Sequence, residues 1–233
     1  MDPSETPTGS GLFRHTARER TWEPAAPIDR DSAEAVERHI QRHFGKIAFV
    51  WHEMISDLVH IDVHVVEPTP ERPFFTLVTS GMSDLPMTVP DGVGPYAELL
   101  ICLPPDWPFS ADGQNEDEKA YWPIRLLKMV ARLPHEYDTW IGVWHSVPNG
   151  DPAEPYADGT PFAGVLVAPM INHPEEARTI TTAEGRQISL LALVPLHPAE
   201  IDLKVTEGTQ ALLDAFDRIT VNELFDPARP SSV

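Results

Sequence analysis

His60, Asp62 and His64 occupy alternate positions in the stretch LVHIDVHVVEP, residues 58–68, and Val59, Ile61, Val63 and Val65 fill the places between them. On an extended strand, residues two apart share one face at about 6.5–7 Å. Two imidazoles flanking a carboxylate can do three things there. They can ligate a zinc ion, if a neighbouring strand adds further donors, and His52 and Glu53 stand where those would come from. They can move protons as general acid and base. Or they can form the solvated face of a strand whose apolar face packs inward, the routine pattern of half-exposed antiparallel strands. The third reading is the expectation: His60, Asp62 and His64 outward, the four β-branched residues in the core. No catalytic residue, cofactor or metal is assigned, and His60, Asp62 and His64 stand as the candidates should a metal bind.

Other signatures fail on their spacing. HEYDT (135–139) opens like a zinc-protease helix, but Thr139 stands where the second histidine is needed. GVGPYA (92–97) precedes a strand and contains Pro95, so it is no dinucleotide turn. TSGMS (79–83) is not a nucleophile elbow. Cys102 sits among Leu99, Leu100, Ile101 and Leu103 and reads as a buried structural thiol.

The elements that position these residues follow from periodicity. Residues 1–30 are polar and proline-punctuated and read as a flexible tail. Asp31 with Glu34 has capping-box spacing, Val36, Ile40 and Phe44 form an apolar stripe, and Gly45 stops a helix over 32–44. Strands are expected over 46–54 and 58–66 as a hairpin, then 73–80 and 97–104, the last covered on both faces. A helix is expected from Pro123, in its first turn, to a stop at Pro134. Strands follow over 141–148, 162–170 and 186–196, then helices over 197–208 and 210–219, the second capped by Thr209. Strands in runs make this an α+β fold: a mixed, mostly antiparallel sheet with helices packed on one side. The expected organisation is a single globular domain over 31–220, with a frayed C-terminus over 221–233.

The chain of 233 residues carries 36 acidic against 17 basic side chains, a formal net charge of −19. That field repels phosphate backbones and anionic lipid and attracts a basic protein. The partner expected is therefore another protein, basic and toxin-like, with no nucleic acid and no membrane. The first twenty residues lack the apolar core of a secretory signal, and a lone cysteine suits a reducing, cytoplasmic compartment. Two acidic loops, 109–120 and 149–161, and the aromatic pair before the second supply the candidate partner contacts: Glu116, Asp117, Glu118, Asp151, Trp144 and His145.

Four stretches carry a resemblance: TLVTSGMSDLPM (76–87), AELLICLPPDW (97–107), WPIRLLKMVARLPHEYDTWIGVWHSVPNG (122–150) and LLALVPLHPAEIDLKVTEGTQALLDAF (190–216). Together with VHIDVHVVEP (59–68) they resemble bacterial proteins of the Suppressor of fused family, over about residues 35–217. The resemblance implies a binder, not an enzyme. The animal namesake holds a short segment of a zinc-finger transcription factor as an added β-strand between two domains. This chain matches the first of those domains, and none of the peptide-contacting residues carries over. The bacterial relatives are considered immunity proteins that neutralise toxins. Three functional readings result: an immunity-type protein-binding module, a metal-binding protein or metal-dependent enzyme using His60, Asp62 and His64, and a stress or housekeeping factor without a tight partner.

Overall fold

The computed structural model describes residues 4–5, 11–15, 22, 24–109 and 117–233. Its strands are β1 (Ser4–Glu5), β2 (Gly11–Leu12), β3 (Ile47–Trp51), β4 (Asp62–Val66), β5 (Phe75–Ser80), β6 (Ala97–Leu103), β7 (Ser146–Pro148), β8 (Gly164–Ala168), β9 (Thr179–Thr181) and β10 (Gln187–Leu196). Its α-helices are α1 (Arg30–His43), α2 (Glu118–Tyr137), α3 (Pro198–Glu207) and α4 (Thr209–Ile219). Apart from the β1–β2 pair, the described strands form one sheet in the order β3-β4-β5-β6-β10-β8-β7, with β9 beside the first half of β10. The β6–β10 pair is parallel and the other pairs are antiparallel, so the sheet is mixed and mostly antiparallel, as expected.

The helices do not share one side. In β6, Leu99, Ile101 and Leu103 face a core built with Trp122, Ile124, Leu127 and Val130 of α2. Leu100 and Cys102 face the opposite core, under Val36, Ile40 and Phe44 at α1. All seven residues of β6 are buried, which requires a cover on each face. A third cluster seats Ile201 of α3 and Leu212 and Phe216 of α4 on Leu166, Val194 and Leu196.

Boundaries moved for local reasons. The α1 cap is Asp29, whose carboxylate accepts from the N–H groups of Asp31 and Ser32. Asp31 instead accepts from the N–H groups of Ala183 (3.0 Å) and Glu184 (3.3 Å), joining the start of α1 to the β9–β10 turn. Helix α2 begins a turn earlier than expected, capped by Asp117, so Pro123 lies inside it and removes one N–H without ending it. Pro134 does not end it either; Asp138, left-handed at φ 48°, does. Gly208 takes the cap position assigned to Thr209. The strand expected over 141–148 is ordered as a strand only from Ser146.

The C-terminal residues are packed where fraying was expected. Leu224 bridges Cys102, and the Phe225 N–H donates to the Cys102 carbonyl at 3.0 Å. Phe225 enters the main core against Trp107, Trp122 and Phe162. Arg229, 9% exposed, is clamped to Glu200 of α3 through both guanidinium Nη atoms at 2.6 and 2.7 Å.

Candidate protein-binding surface

The His-x-Asp-x-His strand divides into two unlike halves. Val59, Ile61, Val63 and Val65 are all fully buried against the α2 side, as their alternation required. The opposite face was expected in water, but His64 is only 4% exposed, because that face lies under α1. Its Nε2 bonds Ser80 Oγ at 2.9 Å, and burial, only partly opposed by the Glu37 and Asp62 charges, lowers its pKa. His60 and Asp62 sit beyond that cover and are half-buried. Asp62 accepts from His52 Nδ1 through Oδ2 at 2.9 Å and from the Glu53 N–H through Oδ1 at 3.0 Å, and Oδ1 also lies 2.9 Å from His60 Nε2. His60 Nδ1 is 2.7 Å from Ser56 Oγ.

Beside it, Arg132 of α2 donates to both carboxylate oxygens of Glu53, at 2.6 and 2.7 Å, and Glu53 also accepts from the Ile61 N–H. The Asp62 carboxylate therefore spends its lone pairs closing the β3–β4 connection. The three candidates are not brought to one point: His64 bonds across to β5 while His60 and Asp62 bond back toward β3. Among the described residues, no group of three or more His, Cys, Asp or Glu could hold a metal ion. Arg132 lies 79 positions from Glu53, and no local spacing signals that pair.

The partner-contact candidates lie in two segments, one around β7 and one at the start of α2. Strand β7 is one outer edge of the sheet, and β3 is the other. Trp144 and His145 lead into β7. Trp144 adopts a left-handed φ of 71°, with its N–H donating to the Val167 carbonyl at 2.7 Å while the Val167 N–H donates to the His145 carbonyl at 2.8 Å. This pins the backbone to β8 and leaves the indole 36% exposed, next to exposed Val143. The His145 ring packs edge-on against Trp140, with centroids 4.3 Å apart, and burial lowers its pKa, helped by the Lys204 charge. A Cβ at Gly142 would come within 2.6 Å of the Trp140 ring and push it from its place.

Asp151 follows β7, exposed, with the Arg14 guanidinium 3.8 Å away. Asp117 and Glu118 open α2. Arg125 donates through Nε to the Glu118 carboxylate at 2.7 Å and through Nη2 to the Tyr156 carbonyl at 2.5 Å, so the start of α2 is tied to the loop that carries Asp151. Glu116 lies outside the described residues. Under this loop is an open cleft of about 320 Å³, lined by Trp107, Lys119, Trp122, Asp158, Thr160 and Pro227. Its ionisable groups, Lys119 and Asp158, do not form an acid–base pair that hydrogen bonds would hold in place.

Reactive groups elsewhere are sealed. Burial pushes the Cys102 thiol up to about 12, and its side chain is fully enclosed. No helix among the described residues is long and apolar enough to cross a membrane.

A two-faced mixed sheet whose ionisable clusters close loops, with exposed side chains flanking an outer strand, defines a scaffold built around surfaces. The chain belongs to the Suppressor of fused protein (SUFU) family, whose model matches residues 57–230. Among solved structures it is similar to a SUFU homologue from Neisseria gonorrhoeae FA 1090, at 18% identity and TM-score 0.64, over 87% of this chain and 97% of that one. It is similar to Sufu in the Sufu–Fu complex, at 14% identity and TM-score 0.58, over 86% and 92% of the two chains. It is also similar to Drosophila Suppressor of Fused, at 13% identity and TM-score 0.57, where 91% of this chain spans 52% of the fly protein. At these identities the likeness concerns the fold. No curated protein matches the chain.

Proposed function

We propose that this chain is a non-enzymatic protein-binding module of the immunity type, which neutralises a basic, toxin-like protein in the cytoplasm. The observation that carries protein binding is membership of a family in which Sufu is found in complex with Fu. The formal charge of −19 supports a basic partner, since such a field steers a cationic protein and repels nucleic acid and anionic membrane. The contact surface is the β7 edge, with Trp144 as the aromatic anchor, His145 beside it, and Asp151, Glu116, Asp117 and Glu118 supplying the field.

The test is co-expression with the product of the adjacent gene, followed by calorimetry on the purified pair. A complex that survives gel filtration and weakens with salt is the expected result. A gene that can be deleted only together with its neighbour adds the immunity part. Absence of binding at micromolar concentration overturns the reading.

A further inference from the structure

The second half of α1 carries two imidazoles that play no part in the surface described above. His39 and His43 are four residues apart, so their side chains leave the same helix face one turn apart. Their ring centroids are 4.4 Å apart with the planes inclined at 41°. His39 Nε2 lies 2.9 Å from the Ala177 carbonyl oxygen. A carbonyl only accepts, so Nε2 carries the proton and the lone pair of the neutral ring is on Nδ1. His39 is 8% exposed, yet its Nδ1 is not among the sealed side-chain nitrogens, and neither nitrogen of His43 is. The rings thus offer lone pairs that no protein donor consumes.

We infer that His39 and His43 chelate a late first-row divalent cation, zinc or copper, between two imidazole nitrogens, with water in the remaining positions. Ligand type and spacing both point to this class: imidazole suits zinc and copper, and the i, i+4 helical pair is the arrangement that sets two histidines on one ion. The Ala177 carbonyl supplies the outer-shell hydrogen bond that metal-bound histidines almost always make, which fixes the tautomer and ring orientation before the ion arrives. Exposed Glu176, on the 3₁₀ turn Glu175–Arg178, places its negative charge near His43, while Arg42 opposes it with a positive one. The site is a two-point chelate, separate from His60, Asp62 and His64.

The experiment is a Zn²⁺ titration of the full chain by calorimetry, with Cu²⁺ electron paramagnetic resonance on the same protein. Saturable one-to-one Zn²⁺ binding is expected, with Cu²⁺ spectra showing coupling to two nitrogens. His43→Ala, at a half-buried position that bonds nothing, should lower the affinity at least about tenfold. His52→Ala serves as the control and should leave it unchanged. Absence of saturable binding, or equal affinity in His43→Ala and the parent chain, overturns the inference.

Discussion

Glu98, Glu200 and Glu223 lie within the fold, whereas Glu118 and Asp151 stand on its surface, and the same carboxylate does opposite work in the two places. Glu98 is fully buried in β6 and accepts four bonds from one turn: Thr79 Oγ1 (2.6 Å), the Gly81 N–H (3.0 Å), and the Ser83 N–H (2.9 Å) and Oγ (2.6 Å). The turn needs Gly81, since a Cβ there would meet the His60 carbonyl oxygen. Glu223 accepts from the Asn172 N–H at 2.5 Å, from its Nδ2 at 3.0 Å, and from His173 Nδ1 at 3.2 Å. Glu200 takes Arg229 bidentately, the His197 N–H, and both donors of Ser232. Burial pushes the Glu200 carboxyl up, but Arg229, Ser232 and His197 outweigh it and hold the carboxyl below its usual range.

On the surface, Glu118 is held by Arg125 and Asp151 has Arg14 at 3.8 Å. Formal charge counts all of these residues alike, but the inner ones spend their acceptor capacity on donors that the fold itself supplies, whereas the exposed ones stand where an approaching molecule meets them.

Arg229→Met is the harshest way to break this contrast. It leaves Glu200 buried without its cation, a loss of about 3–5 kcal/mol. Urea denaturation should show the midpoint falling, together with release of the C-terminal residues in hydrogen exchange. A change within surface range would mean that the clasp is ornamental.

Asp84 sharpens the contrast from the inside. Burial, then the Glu98 charge, raises its carboxyl to about 7, and its Oδ2 has no partner. The folded state therefore binds a proton that the unfolded chain, with the ordinary value of 3.8, has released. The stability this provides is complete below about pH 4 and is lost as pH rises through about 7. Asp84→Asn should flatten that decline and stabilise the protein at pH 8 by on the order of 1 kcal/mol, after allowance for solvent screening. Thermal melts at pH 5 and pH 8 read both; an unchanged slope would refute it.

The smallest effect on stability belongs to the surface pair. Glu118→Gln with Asp151→Asn should shift unfolding by less than about 0.5 kcal/mol. It should also slow association with a basic partner at low ionic strength and reduce the salt dependence. Stopped-flow mixing checks this, and equal on-rates would move the docking surface elsewhere.

Much of the architecture was legible locally. The stripe of Val36, Ile40 and Phe44 gave α1 and its buried face, and the near-unbroken apolar run 97–103 gave a central strand. That run also requires helices on both faces of the sheet, since a strand apolar on both sides cannot leave one face to water. The candidate site was legible in part. Trp144, His145 and Asp151 do flank an edge strand, but nothing in their spacing announced the Arg125 bridge to Tyr156 or the Arg132–Glu53 pair, because both join segments distant in the chain. His64 is buried although it lies on the polar side of its strand, because alternation reports which residues share a face and not what lies over it.

Periodicity and composition by themselves determined the main helices and central strands, the inward set Val59, Ile61, Val63 and Val65, and the acidic field, since each depends on neighbours along the chain or on a simple sum. Tertiary structure alone decided which helix covers which face, that the C-terminal residues dock, and which carboxylates remain outside. Those outcomes depend on contacts between distant segments, where burying a charge is tolerated only if the fold brings donors to meet it.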